Sequence, residues 1–155
     1  MGSRSDALDR IKNLIKLQGG EYIALERLET TYKSCNLVNN ICVYGHANAR
    51  QPMAIIIPHE AQLRQHLRAH PNGVDPDSSL EEFCENETIR SLLLNTCNAA
   101  GKKSGFKSLE LLEAVLLTHT EWTPESGLVT AAQKLQRRNI LDVYQSQIKV
   151  RLFPV

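Results

Sequence analysis

Lys134 is the residue whose type and surroundings most directly suggest chemistry, because the stretch 128–133 before it carries no charge and two arginines follow it. Arg137 and Arg138 open the last predicted helix, where cations oppose the helix dipole unless an anion meets them. This pattern is a weak indication of an anionic ligand. Because lysines at helix starts are mostly solvated, the spacing alone favours a plain surface side chain for Lys134.

A second candidate is Gly20, in the segment Gln18-Gly19-Gly20-Glu21 between the apolar runs 14–17 and 22–25. Two consecutive glycines between such runs favour a β-hairpin, since both can adopt positive φ. Gly20 therefore belongs to a plain turn or marks a point where the backbone approaches a ligand closely. Nearer to Lys134, the segment 123–127 (TPESG) predicts another turn.

His66 and His70 are four residues apart on a predicted helix, a spacing that could place both on one metal ion. The residues between them include no glutamate that could act as a general base, unlike the HExxH motif. We therefore interpret both as surface histidines and predict no metal site.

The composition is that of an ordinary globular domain. The 155 residues are 42% hydrophobic and 23% charged, which suits one domain with a proper core. With Lys+Arg 18 against Asp+Glu 17, the net charge of +1 provides no basic surface of the kind that binds nucleic acid. No apolar run approaches the roughly 20 residues of a membrane span, and no signal peptide is recognisable, so we expect a soluble protein.

The cysteines form no CxxC pair and lie in or beside predicted apolar elements. They are Cys35, Cys42, Cys84 and Cys97. This distribution is typical of reduced core residues in an intracellular protein.

Hydrophobic periodicity predicts an α+β domain: a small three-stranded sheet packed by helices, preceded by a separate β-hairpin. The strands are predicted at 41–44, 53–57 and 113–117, the first of them after Asn39-Asn40 ends the preceding unit. The helices are predicted at 26–35, 59–69, 87–100 and 138–150, with a short one capped by Ser79 and Glu82 that runs through Cys84. Gly101 is expected to close the helix 87–100 and begin a basic loop, 101–105, and the last helix is expected to bury Ile140, Leu141, Tyr144 and Ile148.

Two motifs together resemble a known family. The opening DRIKNLIKLQGGEYIALERLE and the late EWTPESGLVTAAQKLQRRNI are similar to the hinge-and-hairpin motif and the final lysine motif of fungal-type long-chain fatty acyl-CoA synthetases. These enzymes are AMP-forming members of the adenylate-forming superfamily. The resemblance runs from about Leu8 to Lys149 with both motifs in the expected order, and it implies the small C-terminal domain of a larger enzyme.

The resemblance implies roles for individual residues. Lys134 matches the lysine that enters the active site for adenylation, where its charge would stabilise the fatty-acid carboxylate and the α-phosphate. Arg10 matches the arginine that leads the hinge motif and reaches toward the adenylate, and Lys12 matches the hinge position. Gly20 matches the hairpin glycine that lines the pantetheine path of CoA in a second pose of the domain, so the resemblance favours a functional glycine over a plain turn.

This sequence departs from the wider superfamily at two positions. Asp9-Arg10 stands where Gly-Arg is usual, and Gln133 precedes the lysine where glycine is usual. Both variants are similar to the long-chain branch.

The resemblance also implies a domain organisation and a set of partners. Residues 1–8 would be appended or linker sequence, 9–150 the mobile C-terminal domain and 151–155 a tail. The intact enzyme would use ATP with Mg²⁺, CoA and a fatty acid, held largely by a large N-terminal adenylation domain outside this chain. We therefore expect no cofactor bound to this fragment and no activity from it alone.

The expected location is intracellular and cytosolic, with peripheral membrane association at the cytosolic face of the endoplasmic reticulum or at lipid droplets as a variant. Two alternative functions stay open. The chain could be a stand-alone α+β interaction or ligand-binding module, or part of an adenylate-forming ligase for a different acid, such as an aryl acid.

Overall fold

The computed structural model describes residues 13–151. Its strands are β1 (Leu14–Lys16), β2 (Tyr22–Ala24), β3 (Val38–Tyr44), β4 (Met53–Pro58) and β5 (Ala114–Leu117). Its helices are α1 (Leu25–Lys33), α2 (Glu60–Ala69), α3 (Leu80–Glu85), α4 (Glu87–Lys103), α5 (Arg137–Val143) and α6 (Gln145–Arg151), with a 3₁₀ turn at Ser108–Glu110.

The strands form two separate sheets, which confirms the predicted α+β architecture. β1 and β2 make an antiparallel hairpin with Ile15 opposite Ile23. The second sheet has the order β3-β4-β5, antiparallel between β3 and β4 and parallel between β4 and β5. The parallel pair requires a crossover, which the helices α2 to α4 provide.

Side chains alternate along β4 and therefore reach two cores on opposite sides of the three-stranded sheet. Ala54 and Ile56 belong to one core, and Ile55 and Ile57 to the other. The first, here called the hairpin-side core, also contains Leu17, Ile23, Leu28, Tyr32, Leu63, Phe83 and Leu93. The second, the lysine-side core, is completed by Trp122, Leu128, Val129, Ile140, Tyr144 and Ile148.

The first strand of the sheet begins earlier than predicted. Asn39 and Asn40 lie inside β3 rather than ending the preceding unit, and the pairing register shifts between Val38 and Asn40. The Asn40 side chain accepts a hydrogen bond from the Ile41 N–H at 2.9 Å. β3 is an edge strand, so polar side chains that break an apolar pattern can stay partly in solvent.

The prediction that Gly101 closes a helix is wrong. Helix α4 continues to Lys103, so the expected basic loop is largely helical, and the left-handed residue after it is Gly105, with φ of 83°. Gly101 is instead buried inside α4, where an added Cβ would lie 2.9 Å from Phe106 and 3.0 Å from Leu111. Glycine is needed there for close packing rather than for its backbone conformation.

The last predicted helix is divided into α5 and α6 at Tyr144. The Tyr144 hydroxyl accepts a hydrogen bond from Trp122 Nε1 at 3.1 Å and lies 3.1 Å from Thr118 Oγ1. Ile140, Tyr144 and Ile148 are buried as predicted, whereas Leu141 is only half-buried.

Other local predictions are confirmed. Ser79 Oγ accepts a hydrogen bond from the Glu82 N–H at 3.1 Å at the start of α3, which is the Ser79 half of the predicted capping box, and the four cysteines are buried free thiols. Within residues 13–151, no helix has the length and apolar character needed to cross a bilayer.

Candidate active site

Lys134 lies at the end of a tight hairpin, here called the lysine loop (residues 129–135). Val129 and Leu135 form an isolated antiparallel bridge at its base. The Thr130 N–H donates to the Lys134 carbonyl at 2.8 Å, and the Lys134 N–H donates to Thr130 Oγ1 at 3.1 Å. These bonds fix the backbone of Lys134 while residues 131–134 stay exposed, so the ammonium group is displayed on an ordered support.

Gln133 gives the loop its sharp reversal. It has φ of 64°, the left-handed region, and is the one non-glycine residue with positive φ among the residues that the structure describes. Its N–H donates to the Thr130 carbonyl at 2.8 Å. A non-glycine residue in this conformation costs about 1 kcal/mol, which shows why a glycine suits this position well.

The lysine loop lies between two surface grooves. One groove, of about 570 Å³, runs between the loop and helix α1 and includes Lys33, Asn40, Gln133 and Lys134. The other, of about 410 Å³, shares Lys33, Asn40 and Gln133 and extends to Trp122. Polar side chains line both, so the surroundings of Lys134 suit a polar or charged ligand.

A buried ion pair fixes the chain just after Lys134. Arg137 Nη1 lies 2.6 Å from Glu29 Oε2, and its Nη2 lies 3.0 Å from Oε1, which makes the contact bidentate. Arg137 Nη1 also donates to the Val43 carbonyl, while Glu29 Oε2 accepts from the Val43 N–H at 2.7 Å. The side chains of Arg137 and Glu29 are only 17% and 11% exposed.

Burial and the ion pair act together on the pKa values of Arg137 and Cys42. Burial opposes the charged form of Arg137, but the hydrogen bonds and charge of Glu29 outweigh it and raise the Arg137 pKa. Burial likewise raises the pKa of the nearby Cys42 thiol to about 12, against a smaller lowering effect of Arg137. Arg137 is therefore a permanent cation, and Cys42 is a neutral thiol at physiological pH.

This pair corrects the interpretation of the arginines as an indication of an anionic ligand. The anion that meets Arg137 is the carboxylate of Glu29, while Arg138 is exposed. Sequence reasoning missed Glu29, although position 29 lies on the same helical face as the buried Leu25, Leu28 and Tyr32. A carboxylate on a buried face requires a partner, and that requirement was the available signal.

The other predicted site residues lie elsewhere. Gly20 is exposed in the β1–β2 turn with φ of 84°, has no atom within 4 Å of an added Cβ, and does not line the groove beside Lys134. Arg10 and Lys12 lie outside the described residues. Asn13, the first described residue, lines the larger groove together with Lys134.

His66 lies in α2, and His70 caps the end of that helix. The rings of His66 and His70 lie 4.7 Å apart between centroids. Between residues 13 and 151, no group of three or more His, Cys, Asp or Glu side chains could hold a metal ion.

No protein-family model matches the chain. The chain is 48% identical over 141 residues to long-chain-fatty-acid–CoA ligase 1 of Schizosaccharomyces pombe, an alignment that covers 91% of this chain and 21% of that protein. It is 39% identical over 145 residues to long-chain-fatty-acid–CoA ligase 3 of Saccharomyces cerevisiae, covering 92% of this chain and 20% of the relative. The chain thus spans about a fifth of the length of these relatives.

Solved structures share the fold. The adenylation domain of a carboxylate reductase from Mycobacterium chelonae matches with a TM-score of 0.75 at 23% identity, over 94% of this chain and 20% of that one. The adenylation domain of a carboxylic acid reductase from Segniliparus rugosus, solved with AMP and a co-purified carboxylic acid, matches with a TM-score of 0.73 at 24% identity, over 91% and 20% of the two chains.

The fold is therefore that of the C-terminal domain of the adenylate-forming ligases. Within that class the sequence is specific, since several fungal long-chain fatty acid ligases match nearly the whole chain. The chain belongs to the long-chain fatty acid–CoA ligase family, as a C-terminal portion of it.

Proposed function

We propose that the full-length protein converts a long-chain fatty acid, ATP and CoA to acyl-CoA, AMP and pyrophosphate. In the first half-reaction a carboxylate oxygen of the fatty acid attacks the α-phosphorus, the bond between the α- and β-phosphates breaks, and pyrophosphate leaves. In the second, the CoA thiol loses its proton and attacks the acyl carbon, and AMP leaves. The 48% identity to a relative named as a long-chain-fatty-acid–CoA ligase carries this proposal.

We assign the charge that assists the first half-reaction to Lys134. The ammonium group is exposed, and within residues 13–151 it forms no ion pair. The backbone beneath it is held by the two hydrogen bonds with Thr130. A mobile point charge on an ordered base suits negative charge that spreads over a carboxylate and a phosphate in the transition state.

The second half-reaction is assigned to the hairpin that contains Gly20. The hairpin packs into the hairpin-side core through Leu17 and Ile23, and the lysine loop packs into the lysine-side core through Val129. Turning the domain about the segment near Lys12 would replace one surface by the other at a single reaction centre. The open space around Gly20 supports close passage of a thin, flexible chain such as pantetheine.

Magnesium is assigned to the part of the protein outside this chain. Magnesium is commonly held by one or two carboxylates together with substrate phosphates, and residues 13–151 contain no group of three or more His, Cys, Asp or Glu side chains that could hold a metal ion. The large adenylation domain, the domain limits 9–150 and the cytosolic location stay predictions from the resemblance.

The test is Lys134→Ala in the full-length protein, with each half-reaction measured separately. Formation of acyl-adenylate from palmitate and ATP is expected to fall by about 10²–10³-fold, because the lost charge acts in the transition state. Transfer of the acyl group from preformed acyl-adenylate to CoA should persist. Lys103→Ala, which removes another exposed lysine at the end of α4, is the matched control and should change neither rate.

Retention of both half-reactions in the Lys134→Ala protein would show that the assignment of this lysine is wrong.

The choice of acid has its own test, in which palmitate is compared with benzoate as the substrate for adenylation. Faster adenylation of benzoate would favour a ligase for aryl acids and contradict the long-chain proposal.

A further inference from the structure

The Glu29–Arg137 pair occupies the open edge of the sheet. β3 is an edge strand, so on one side its backbone groups have no strand to pair with. At Val43 the two side chains take that place: the Val43 N–H donates to Glu29 and the Val43 carbonyl accepts from Arg137. Helix α1, strand β3 and the start of α5 are therefore joined at one buried point.

This point is directly connected to the lysine loop. Leu135 pairs with Val129, and the Gln136 N–H donates to the Leu128 carbonyl at 2.8 Å. We call Leu135 to Arg137 the returning arm of the loop, and Arg137 is its last residue. Backbone contacts therefore bind the returning arm to Leu128 and Val129, and the Arg137 side chain binds it to α1 and β3.

At a buried position, a bidentate ion pair fixes the orientation of its two side chains more than it stabilises the fold. Buried ion pairs often stabilise a fold no better than apolar residues of the same size, because both charges lose their hydration. The two parallel hydrogen bonds, however, fix the orientation of the guanidinium plane against the carboxylate. An apolar contact would leave the returning arm freer to slide along β3.

We propose that Glu29 and Arg137 are positioning residues for the adenylation reaction, which hold the returning arm of the lysine loop against β3 and so set where the Lys134 ammonium stands. The inference rests on the proposed role of Lys134. Neither residue touches the reacting atoms. Both terminal nitrogens of Arg137 bond to Glu29, Nη1 also bonds to the Val43 carbonyl, and Nε is buried without a partner, so the guanidinium is directed into the domain.

The test is Glu29→Gln in the full-length protein, which keeps the size of the side chain and removes its charge. Adenylation of palmitate is expected to fall by about 10- to 100-fold, as displacement of a catalytic group by about 1 Å can do. Acyl transfer from preformed acyl-adenylate to CoA is expected to stay unchanged. Arg137→Lys, which keeps the charge but loses the bidentate contact, should give the same split between half-reactions and serves if Glu29→Gln does not fold.

A matched control is Glu110→Gln. Glu110 is also a buried carboxylate paired with an arginine, Arg27, but it does not line the groove beside Lys134. It should leave the ratio of the two half-reactions as in the unmodified protein. If Glu29→Gln and Glu110→Gln lowered both half-reactions equally, the role of Glu29 would be structural only and the inference would be overturned.

The decisive experiment combines Glu29→Gln with Lys134→Ala. If Glu29 acts through Lys134, the double variant adenylates no more slowly than Lys134→Ala alone. A further slowing in the double variant would overturn the inference. Failure of the proposed function is distinguishable, since in that case Lys134→Ala by itself would leave adenylation intact.

Discussion

Arg137 and Glu29, which are 108 residues apart in the chain, meet in a bidentate contact with oxygen–nitrogen distances of 2.6 and 3.0 Å. Removal of one partner leaves the other charge buried without compensation. We expect Arg137→Ala to lower the free energy of unfolding by about 3 kcal/mol. Urea unfolding followed by the fluorescence of the single tryptophan, Trp122, measures this. The exposed Arg138→Ala is the control and should stay within about 0.5 kcal/mol of the unmodified chain.

Tyr144→Phe tests the hydrogen bonds of the Tyr144 hydroxyl in the lysine-side core. The substitution removes the acceptor of the buried Trp122 Nε1–H and should cost about 1–3 kcal/mol in unfolding free energy. Tyr44→Phe is a close control, because the buried Tyr44 hydroxyl has no hydrogen-bond partner among the described residues. The control should be neutral or slightly stabilising. Equal losses for the two variants would contradict the role given to the Tyr144 hydroxyl.

Gly101→Ala separates packing from helix propensity. Alanine is the better helix former by about 1 kcal/mol, so propensity alone predicts stabilisation. The added Cβ would instead lie within 3.0 Å of Phe106 and Leu111, and we expect a net loss of about 1–3 kcal/mol from overpacking. Gly19→Ala, where no atom lies within 4 Å, provides the comparison in thermal unfolding. A more stable Gly101→Ala chain would show that the neighbouring side chains move aside freely.

The proposed role of Gly20 is tested against Gly73. Both glycines have positive φ, 84° and 88°, and neither has an atom within 4 Å of an added Cβ. Leucine at either position should therefore cost a similar amount, about 1–2 kcal/mol, from backbone strain. Only Gly20→Leu is expected to slow acyl transfer to CoA in the full-length protein. A transfer rate equal to that of Gly73→Leu would remove Gly20 from the pantetheine path.

The buried thiols predict a loss of stability in alkali. Burial raises the pKa of Cys42 and that of Cys84 to about 12, above the ordinary 9.0. The folded-state pKa lies above the unfolded value, so this contribution is fully present below pH 9 and is lost as the pH rises from 9 toward 12. Urea unfolding across this range should show the decline, and Cys42→Ala should make it less steep. An identical slope in both chains would contradict the assignment to Cys42.

The sequence pattern of a segment predicted its secondary structure correctly where that structure depends mainly on the segment itself. The apolar run 53–57 between two prolines predicts β4, and Gly19-Gly20 between apolar runs predicts the hairpin, as observed. The prediction for Gly101 was wrong because its environment is set by Phe106 and Leu111, which the helix pattern does not include. Asn39 and Asn40 were misplaced because the sequence does not show which strand lies at the edge.

The candidate site also has features that the sequence predicts and features that only the three-dimensional fold shows. Motif resemblance predicts Lys134 as a site residue, but it does not predict the ordered backbone beneath it, which depends on the Thr130 hydroxyl and on the left-handed Gln133. The ion pair behind it joins positions in the first and last parts of the chain, and only the three-dimensional fold brings those together. Sequence reasoning could require a partner for Glu29 without naming Arg137.

The two cores on opposite sides of the sheet have a mechanical consequence. The rotation proposed above requires that the domain turn as a unit, without bending between the Gly20 hairpin and the lysine loop. Strands β3, β4 and β5 separate the two cores, and the Glu29–Arg137 pair joins α1 to α5 at the edge of this sheet. In the proposed rotation, the stiffness of this sheet would determine how accurately the hairpin and the lysine loop reach the same reaction centre.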